Sequence, residues 1–270
     1  MNRIARAAVA AVASLGLVSM APVLTAASAP APDVHRSAAA FKISAAIDKT
    51  EVVAGEGIVK ITGRVRPKAA GQKVVLQQRL DGTTRWKKSG TAKIKPSGKF
   101  VLEDGPSANH AGTRFYRVLK PAADGLKAAT SRELQLDVWR WYPLAWLSAG
   151  AHSGVAMSVY TQFGAVGYEY SLAQQTAGTP GYVEYTLGRK ARSLRGTYAL
   201  TDDSATGASG SVTVSVDGTA VGTHPLGTGT IVEDYVVDVR NAFRVRFDFV
   251  GSAAPAGRSA VGTPEVLVLP

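Results

Sequence analysis

Residues 212–223 read Val-Thr-Val-Ser-Val-Asp-Gly-Thr-Ala-Val-Gly-Thr, and this stretch decides the fold class. Its first three valines alternate with Thr and Ser, which is the period of a half-buried β-strand. Asp217-Gly218 follows, a pair suited to the positive φ angles of a two-residue hairpin turn. The stretch therefore predicts an antiparallel β-hairpin whose second strand starts at Thr219.

The same alternation continues through the rest of the C-terminal half. Between Phe243 and Phe249 the apolar residues face one way, and the two arginines and the aspartate between them face the other. Pro264 to Leu269 predicts a final strand, and no stretch shows a convincing helical period. We therefore predict a jelly-roll β-sandwich over residues 147–270.

Residues 41–138 show the same period two, with Gly, Pro or Asp turns about every ten residues. The pattern starts at Phe41, passes through a Pro-Ser-Gly turn at 96–98, and ends with Leu134 to Val138. Seven strands in about 100 residues is the number found in immunoglobulin-like domains. The predicted fold is thus all-β, with two β-sandwich domains, Ig-like followed by jelly-roll.

The first 29 residues have the features of a secretory signal peptide. Arg3 and Arg6 precede an apolar, Ala-rich run, and Ala27-Ser28-Ala29 resembles a cleavage site. Cleavage after Ala27 and retention as a membrane anchor are the alternatives. Residues 30–40 form a Pro- and Ala-rich, flexible lead-in. We expect a secreted, extracellular protein, associated with the cell wall, with no transmembrane segment after signal removal.

Composition excludes several kinds of chemistry. The chain of 270 residues contains no Cys and four His. Disulfide scaffolds, Cys-based metal sites and cysteine nucleophiles are therefore excluded. The sequence also shows no phosphate-binding loop, no dinucleotide fingerprint and no zinc-protease motif. We expect a protein that is not an enzyme and requires no cofactor.

The net charge of +11 is concentrated in the first half of the chain. Residues 41–141 contain 20 Lys and Arg against 9 Asp and Glu, a net charge of +11. Residues 142–270 contain 8 against 10, a net charge of −2. A basic first domain suits contact with an anionic wall polymer, and a nearly neutral second domain suits recognition of uncharged groups.

Several motifs of the first domain resemble the small Ig-like domains of secreted actinobacterial proteins. The resemblance covers residues 41–138 and is carried by Gly63-Arg-Val-Arg-Pro67, Ala70-Gly71, Val75-Leu-Gln-Gln78, Trp86, Gly98-Lys-Phe100 and Tyr116-Arg-Val118. It implies turns, core positions and a Trp packed between two sheets. Such domains are usually spacers or adhesion modules, so no catalysis is implied.

The second half is similar to the NPCBM family, the "novel putative carbohydrate binding module". The similarity covers most of residues 144–270 and is carried by Leu144 to Ser148, Tyr182-Val-Glu-Tyr-Thr-Leu187, Arg195-Gly-Thr-Tyr-Ala199, Asp202-Asp203, Val212 to Gly218, Val237-Asp-Val239 and Val261 to Leu267. It implies a carbohydrate-binding sandwich. Members that bind sugar often have an early Gly-x-His-Ala-like strand, whereas this chain has Tyr168-Glu-Tyr-Ser-Leu172. This difference favours an alternative without sugar binding.

Sugar recognition needs an aromatic face for the C–H side of a ring. Trp146, Tyr168 and Tyr170 are the predicted ligand-binding residues, the two tyrosines because they share one face of a strand at period two. Packing at the core edge is the alternative for each ring.

Asp202 and Asp203 lie in a loop rich in Ser, Thr and Gly. Loop carboxylates can hold a structural calcium ion in jelly-roll modules, and turn formation is the alternative. We predict a possible calcium site at these two residues.

Three of the four Trp fall in residues 139–146, the predicted aromatic junction between the domains. A flexible linker would be rich in Gly and Ser, so the composition favours rings that hold the two sandwiches in a fixed arrangement. The alternative is an exposed binding strip.

The sequence thus favours a secreted, non-catalytic binding protein. Its C-terminal sandwich would recognise an extracellular glycan or anionic cell-wall polymer, with the basic Ig-like domain as spacer or auxiliary contact. The alternative is a structural protein of the cell envelope that binds another envelope protein. We expect no specific nucleic-acid partner.

Overall fold

The structure is a computed structural model, and it describes residues 39–270. The predicted signal peptide and nearly all of the lead-in lie outside the described residues. Between 39 and 270 the chain forms nineteen β-strands and two short 3₁₀ turns, and no α-helix. Those residues include no helix of the length and hydropathy that a membrane span requires. The all-β fold predicted from the alternating pattern is confirmed.

Nine strands belong to the first sandwich. They are β1 (Lys42–Ile47), β2 (Glu51–Val53), β3 (Val59–Arg66), β4 (Lys73–Leu80), β5 (Lys87–Lys93), β6 (Lys99–Asp104), β7 (Gly112–Lys120), β8 (Ala129–Thr130) and β9 (Leu134–Pro143). One sheet has the order β1-β3-β6, and the other has the order β2-β9-β7-β4-β5, with β8 beside β7. Strand β2 runs parallel to β9, and the other pairs are antiparallel.

The second sandwich contains the other ten strands. They are β10 (Ala149–Ser153), β11 (Val155–Phe163), β12 (Val166–Gln174), β13 (Gly181–Thr186), β14 (Ala191–Leu200), β15 (Ser209–Val216), β16 (Thr219–Gly227), β17 (Ile231–Asp238), β18 (Arg244–Gly251) and β19 (Ser259–Val268). One sheet has the order β10-β13-β18-β15-β16. The facing sheet contains β11-β12-β19 and continues through β14 to β17.

Each sandwich has its own apolar core, because inward-facing residues alternate along the strands. In the first sandwich Ile61, Phe100 and Tyr116 are buried between the sheets. In the second, Phe247 and Phe249 are fully buried with Val212 and Val214 of β15. The inward face predicted for Val245 to Phe249 is confirmed, whereas Phe243 is 49% exposed.

Strand β9 belongs to both sandwiches. Its first half pairs with β7, and Arg140–Pro143 pair with Val268 to Glu265 on β19. One hydrogen-bonded sheet therefore runs through both sandwiches, and most of the predicted junction lies in this strand. Trp141 Nε1 also donates to Glu56 Oε1 at 3.2 Å, and Arg192 pairs through two nitrogens with Glu51. These contacts hold the two sandwiches together across the junction.

Candidate functional site

Trp146 is the most exposed of the predicted ligand-binding residues, with 55% of its surface accessible. Its ring is edge-to-face with Tyr142 at a centroid distance of 5.2 Å and with Tyr170 at 5.7 Å. We call these three residues the aromatic cluster. Edge-to-face pairs of this kind add about 0.5–1.5 kcal/mol beyond simple burial, so the rings support one another while Trp146 stays open to solvent.

The local sequence explains why Trp146 is exposed. Strand β9 ends at Pro143, and residues Leu144–Trp146 form a 3₁₀ turn closed by a hydrogen bond from Leu147 N to Leu144 O at 2.9 Å. Leu144 is fully buried in the second core. The buried Leu anchors the turn, and the indole two residues later points away from the core.

A β-bulge brings Tyr170 to the aromatic cluster. On β11 and β12, Thr161 pairs with Tyr168 and Val159 pairs with Ser171, so two residues of β12 face one of β11. Tyr170 has a φ of 53°, in the left-handed region. The alternation is therefore interrupted between Tyr168 and Tyr170, and the prediction that they share one face at period two is wrong.

Tyr168 lies apart from the aromatic cluster. Its ring is 4.7 Å from that of Phe163 and covers Gly262, where a β-carbon would come within 2.7 Å of the Tyr168 ring. Tyr168 is half-buried. The structure thus brings together Trp146 and Tyr170 of the three predicted residues, and it adds Tyr142, which sequence reasoning did not single out.

A cleft of 480 Å³ adjoins the aromatic cluster through Tyr142. Arg140, Thr186 and Lys190 contribute polar groups to its lining, and valines of β19 contribute apolar ones. The guanidinium of Arg140 lies 5.1 Å from the centre of the Tyr142 ring, and its Nε is buried without a hydrogen-bond partner among the described residues. Aromatic rings next to a few polar donors are the elements of a small-ligand site.

The Asp202 carboxylate stabilises a neighbouring turn. Its two carboxylate oxygens accept hydrogen bonds from the backbone N–H groups of Gly164 at 2.7 Å and Ala165 at 2.8 Å. These residues connect β11 to β12, the strands that carry Tyr168 and Tyr170. Asp202 therefore supports the geometry of the bulged hairpin from a loop 37 residues away in sequence.

Asp203 has different partners. It accepts hydrogen bonds from Thr201 and Arg258. Burial favours the neutral carboxyl, but the bonds from Thr201 and the charge of Arg258 outweigh it and hold the pKa of Asp203 below its ordinary value. Within residues 39–270 no group of three or more His, Asp or Glu side chains is placed to hold a metal ion. Calcium binding at Asp202 and Asp203 stays a prediction.

One further expectation about an aromatic residue is wrong. The resemblance of the first domain implied that Trp86 packs between its two sheets, but Trp86 is half-buried and lies outside that core. The guanidinium of Arg117 lies 4.2 Å from the centre of its ring, and that of Arg79 lies 5.3 Å away. The segment between β4 and β5 carries Trp86 across the outer surface of its sheet, where arginines cover it.

Comparison with known proteins adds little to this geometry. No family model matches the chain, and no curated protein matches it. Among solved structures, the chain is similar to the VP2 subviral particle of infectious bursal disease virus, with 14% identity, coverage of 89% of this chain and 74% of that chain, and a TM-score of 0.26. A TM-score this low supports no argument about fold or function.

Proposed function

We propose that this protein is a secreted, non-catalytic binding protein that recognises an uncharged extracellular glycan with its second sandwich. The observation that carries the proposal is the exposed Trp146 ring, held edge-to-face between Tyr142 and Tyr170. A sugar ring has a C–H face that packs on an aromatic ring, and its hydroxyl groups need a few polar partners. The neighbouring cleft offers such partners in Arg140, Thr186 and Lys190.

The proposal gives the other predicted residues supporting roles. Asp202 holds the turn between β11 and β12, and Tyr168 packs against Phe163. In this proposal the first sandwich is a spacer that is rigidly joined through β9. The NPCBM resemblance supports the same class of ligand.

A glycan array tests the proposal with three forms of the protein. We expect the wild type to bind at least one neutral glycan and Trp146→Ala to lower the affinity at least tenfold. Phe243→Ala is the matched control, because Phe243 is also an exposed aromatic residue of the second sandwich but lies outside the aromatic cluster. A wild-type protein that binds no glycan, or equal losses in both variants, would contradict the proposal. Capture of an envelope protein in sugar-free buffer would then favour the alternative.

A further inference from the structure

A group of unpaired positive charges occupies one end of the β1-β3-β6 sheet. Lys42 on β1 lies directly opposite Arg66 on β3, and Arg64 on β3 lies directly opposite Lys99 on β6. We call these four residues the basic face. Lys42, Arg66 and Lys99 are exposed, and Arg64 is half-buried.

The basic face lacks the counter-charges that would normally accompany it. None of its four residues forms an ion pair with another residue of the described chain. Like charges directly opposite one another in a sheet are destabilising. On the same sheet, Lys60 and Glu103 are directly opposite and pair at 3.6 Å, so this sheet does accommodate ion pairs elsewhere.

Part of the basic face lines a groove, and a neighbouring lysine lies beside it. A groove of 360 Å³ is lined by Lys42, Ile43, Ser44, Arg64 and Arg66. Ser44 lies directly opposite Arg64, and both residues line the groove. Lys68 adds a fifth positive charge, because its stem and that of Arg64 both lie beside Gly98.

We propose that the basic face binds a linear, phosphate-bearing polyanion that has no aromatic bases. Arg64 and Arg66 are two positions apart on one strand, which separates same-face side chains by about 7 Å. Guanidinium groups bind phosphate and carboxylate through two parallel hydrogen bonds, so the polyglutamate arm of the test separates these two anions. Proteins that hold single-stranded nucleic acid add aromatic platforms for the bases. The groove lining contains none, so a polymer without bases fits better.

The site is independent of the proposed glycan site. It lies on the other sandwich, and none of its residues lines the cleft beside the aromatic cluster. A protein that binds no glycan could therefore still bind a polyanion at the basic face, and a protein that binds no polyanion could still bind a glycan.

Titration of the full-length protein with inorganic polyphosphate over a range of salt concentrations tests the proposal. We expect Lys42→Gln/Arg66→Gln to lower the affinity at least tenfold and to reduce the slope of log K against log salt by about two, one for each lost phosphate contact. The matched control is Lys49→Gln/Lys60→Gln. It removes the same charge from the same sandwich, at exposed positions outside the basic face. We expect it to stay within about twofold of the wild type, since long-range effects of surface charge are screened by salt.

Each other result would overturn the proposal. Equal losses in the two double variants would show that net charge alone controls binding. Equal affinity for polyglutamate at matched charge would exclude phosphate recognition, and tighter binding of DNA than of polyphosphate would indicate a nucleic-acid site. Absence of polyphosphate binding by the wild type would exclude the site.

Discussion

The two sandwiches differ in the share of their basic side chains that form ion pairs. Among residues 142–270, six of the eight basic side chains form ion pairs within the described structure, namely Arg192, Arg195, Arg240, Arg244, Arg246 and Arg258. Among residues 41–141 only three of twenty do, namely Lys60, Arg79 and Arg114. The positive charge of the first sandwich is therefore available to an external partner, whereas most of that in the second is matched internally.

This difference lies on the surfaces, since both sandwiches are built on cores of the same kind. Each core is formed by inward-facing aliphatic and aromatic side chains from two sheets. Charge pairing on a protein surface contributes little to stability, so a sandwich can leave its charges unpaired without losing its fold. Changes to core packing should therefore alter the stability of the protein most, and changes to surface charge should alter it least.

Truncation of one core aromatic residue in either sandwich is expected to have the largest effect. Phe100→Ala in the first sandwich and Phe247→Ala in the second should each lower the free energy of unfolding by about 3–5 kcal/mol, because each leaves a cavity. Urea unfolding followed by Trp fluorescence measures the loss. Val101→Ala, at a 43% exposed position beside Phe100, is the control. If only one of the two Phe variants lost as little stability as the control, the two cores would not be packed alike.

Loss of a shared carboxylate in the second sandwich is expected to have an intermediate effect. Glu184 bonds Arg244 at 3.0 Å and Arg246 at 3.1 Å. Glu184→Gln should lower the free energy of unfolding by about 1 kcal/mol, because two partly exposed ion pairs are lost together. Glu233→Gln, at an exposed glutamate without an ion pair among the described residues, should have no measurable effect. Equal stability of the two variants would show that internal pairing does not stabilise this sandwich.

The acid sensitivity of folding is expected to come from the second sandwich. His224 is buried between Tyr198 and Tyr235, each at a ring distance of 4.4 Å, and its Nε2 has no partner among the described residues. Burial lowers the pKa of His224 below its ordinary value of 6.5. The unfolded chain therefore binds the proton more readily than the folded chain. The contribution of His224 to the free energy of unfolding is fully present above pH 6.5, and it is lost as the pH drops through the pKa of the folded state.

His224→Phe tests this dependence, because Phe retains an aromatic ring between the two tyrosines but cannot be protonated. We expect the variant to lose less stability than the wild type between pH 7.5 and pH 5.5, as measured by thermal unfolding. His110→Phe is the control, since His110 is exposed in the first sandwich. The prediction fails if the His224 variant and the wild type show the same pH profile.

Removal of one charge from the basic face is expected to have the smallest effect and the opposite sign. Arg66→Gln should raise the free energy of unfolding by about 0.2–1 kcal/mol at low salt, because it removes repulsion from Lys42 directly opposite. The gain should shrink at high salt, where surface charges are screened. Lys60→Gln should not raise stability, because it removes an ion pair with Glu103. Destabilisation by Arg66→Gln would show that the basic face supports the fold instead of a ligand.

Local patterns were reliable where the structure depends on neighbouring residues. The hairpin predicted at 212–223 is present, with Val216 paired to Thr219 and φ values of 49° at Asp217 and 86° at Gly218. The Asp217 carboxylate also accepts from the backbone N–H groups of Phe243 and Arg244, a contact that alternation does not indicate. Alternation therefore predicts most of the buried positions, with Phe243 as an exception, but it does not predict which distant residues they contact.

Predictions that depended on distant partners had mixed outcomes. Period two placed Tyr168 and Tyr170 on one face, but the bulge against β11 separates them. The sequence marked Asp202 as a turn former or calcium ligand, and the structure shows that it caps a turn of another hairpin. Neither the bulge nor the cap leaves a local signal, because each depends on a strand or loop that folds against it.

The sequence alone determined that the chain is all-β, that its two halves form sandwiches, and that the positive charge lies in the first. These properties follow from alternation and composition, which can be read from neighbouring residues without knowledge of the tertiary structure. Only the tertiary structure decided that β9 joins both sandwiches, that Trp146 meets Tyr142 and Tyr170, and that four basic residues face one another across three strands. Strand register sets all of these contacts, and register arises from pairing between segments that are far apart in the chain.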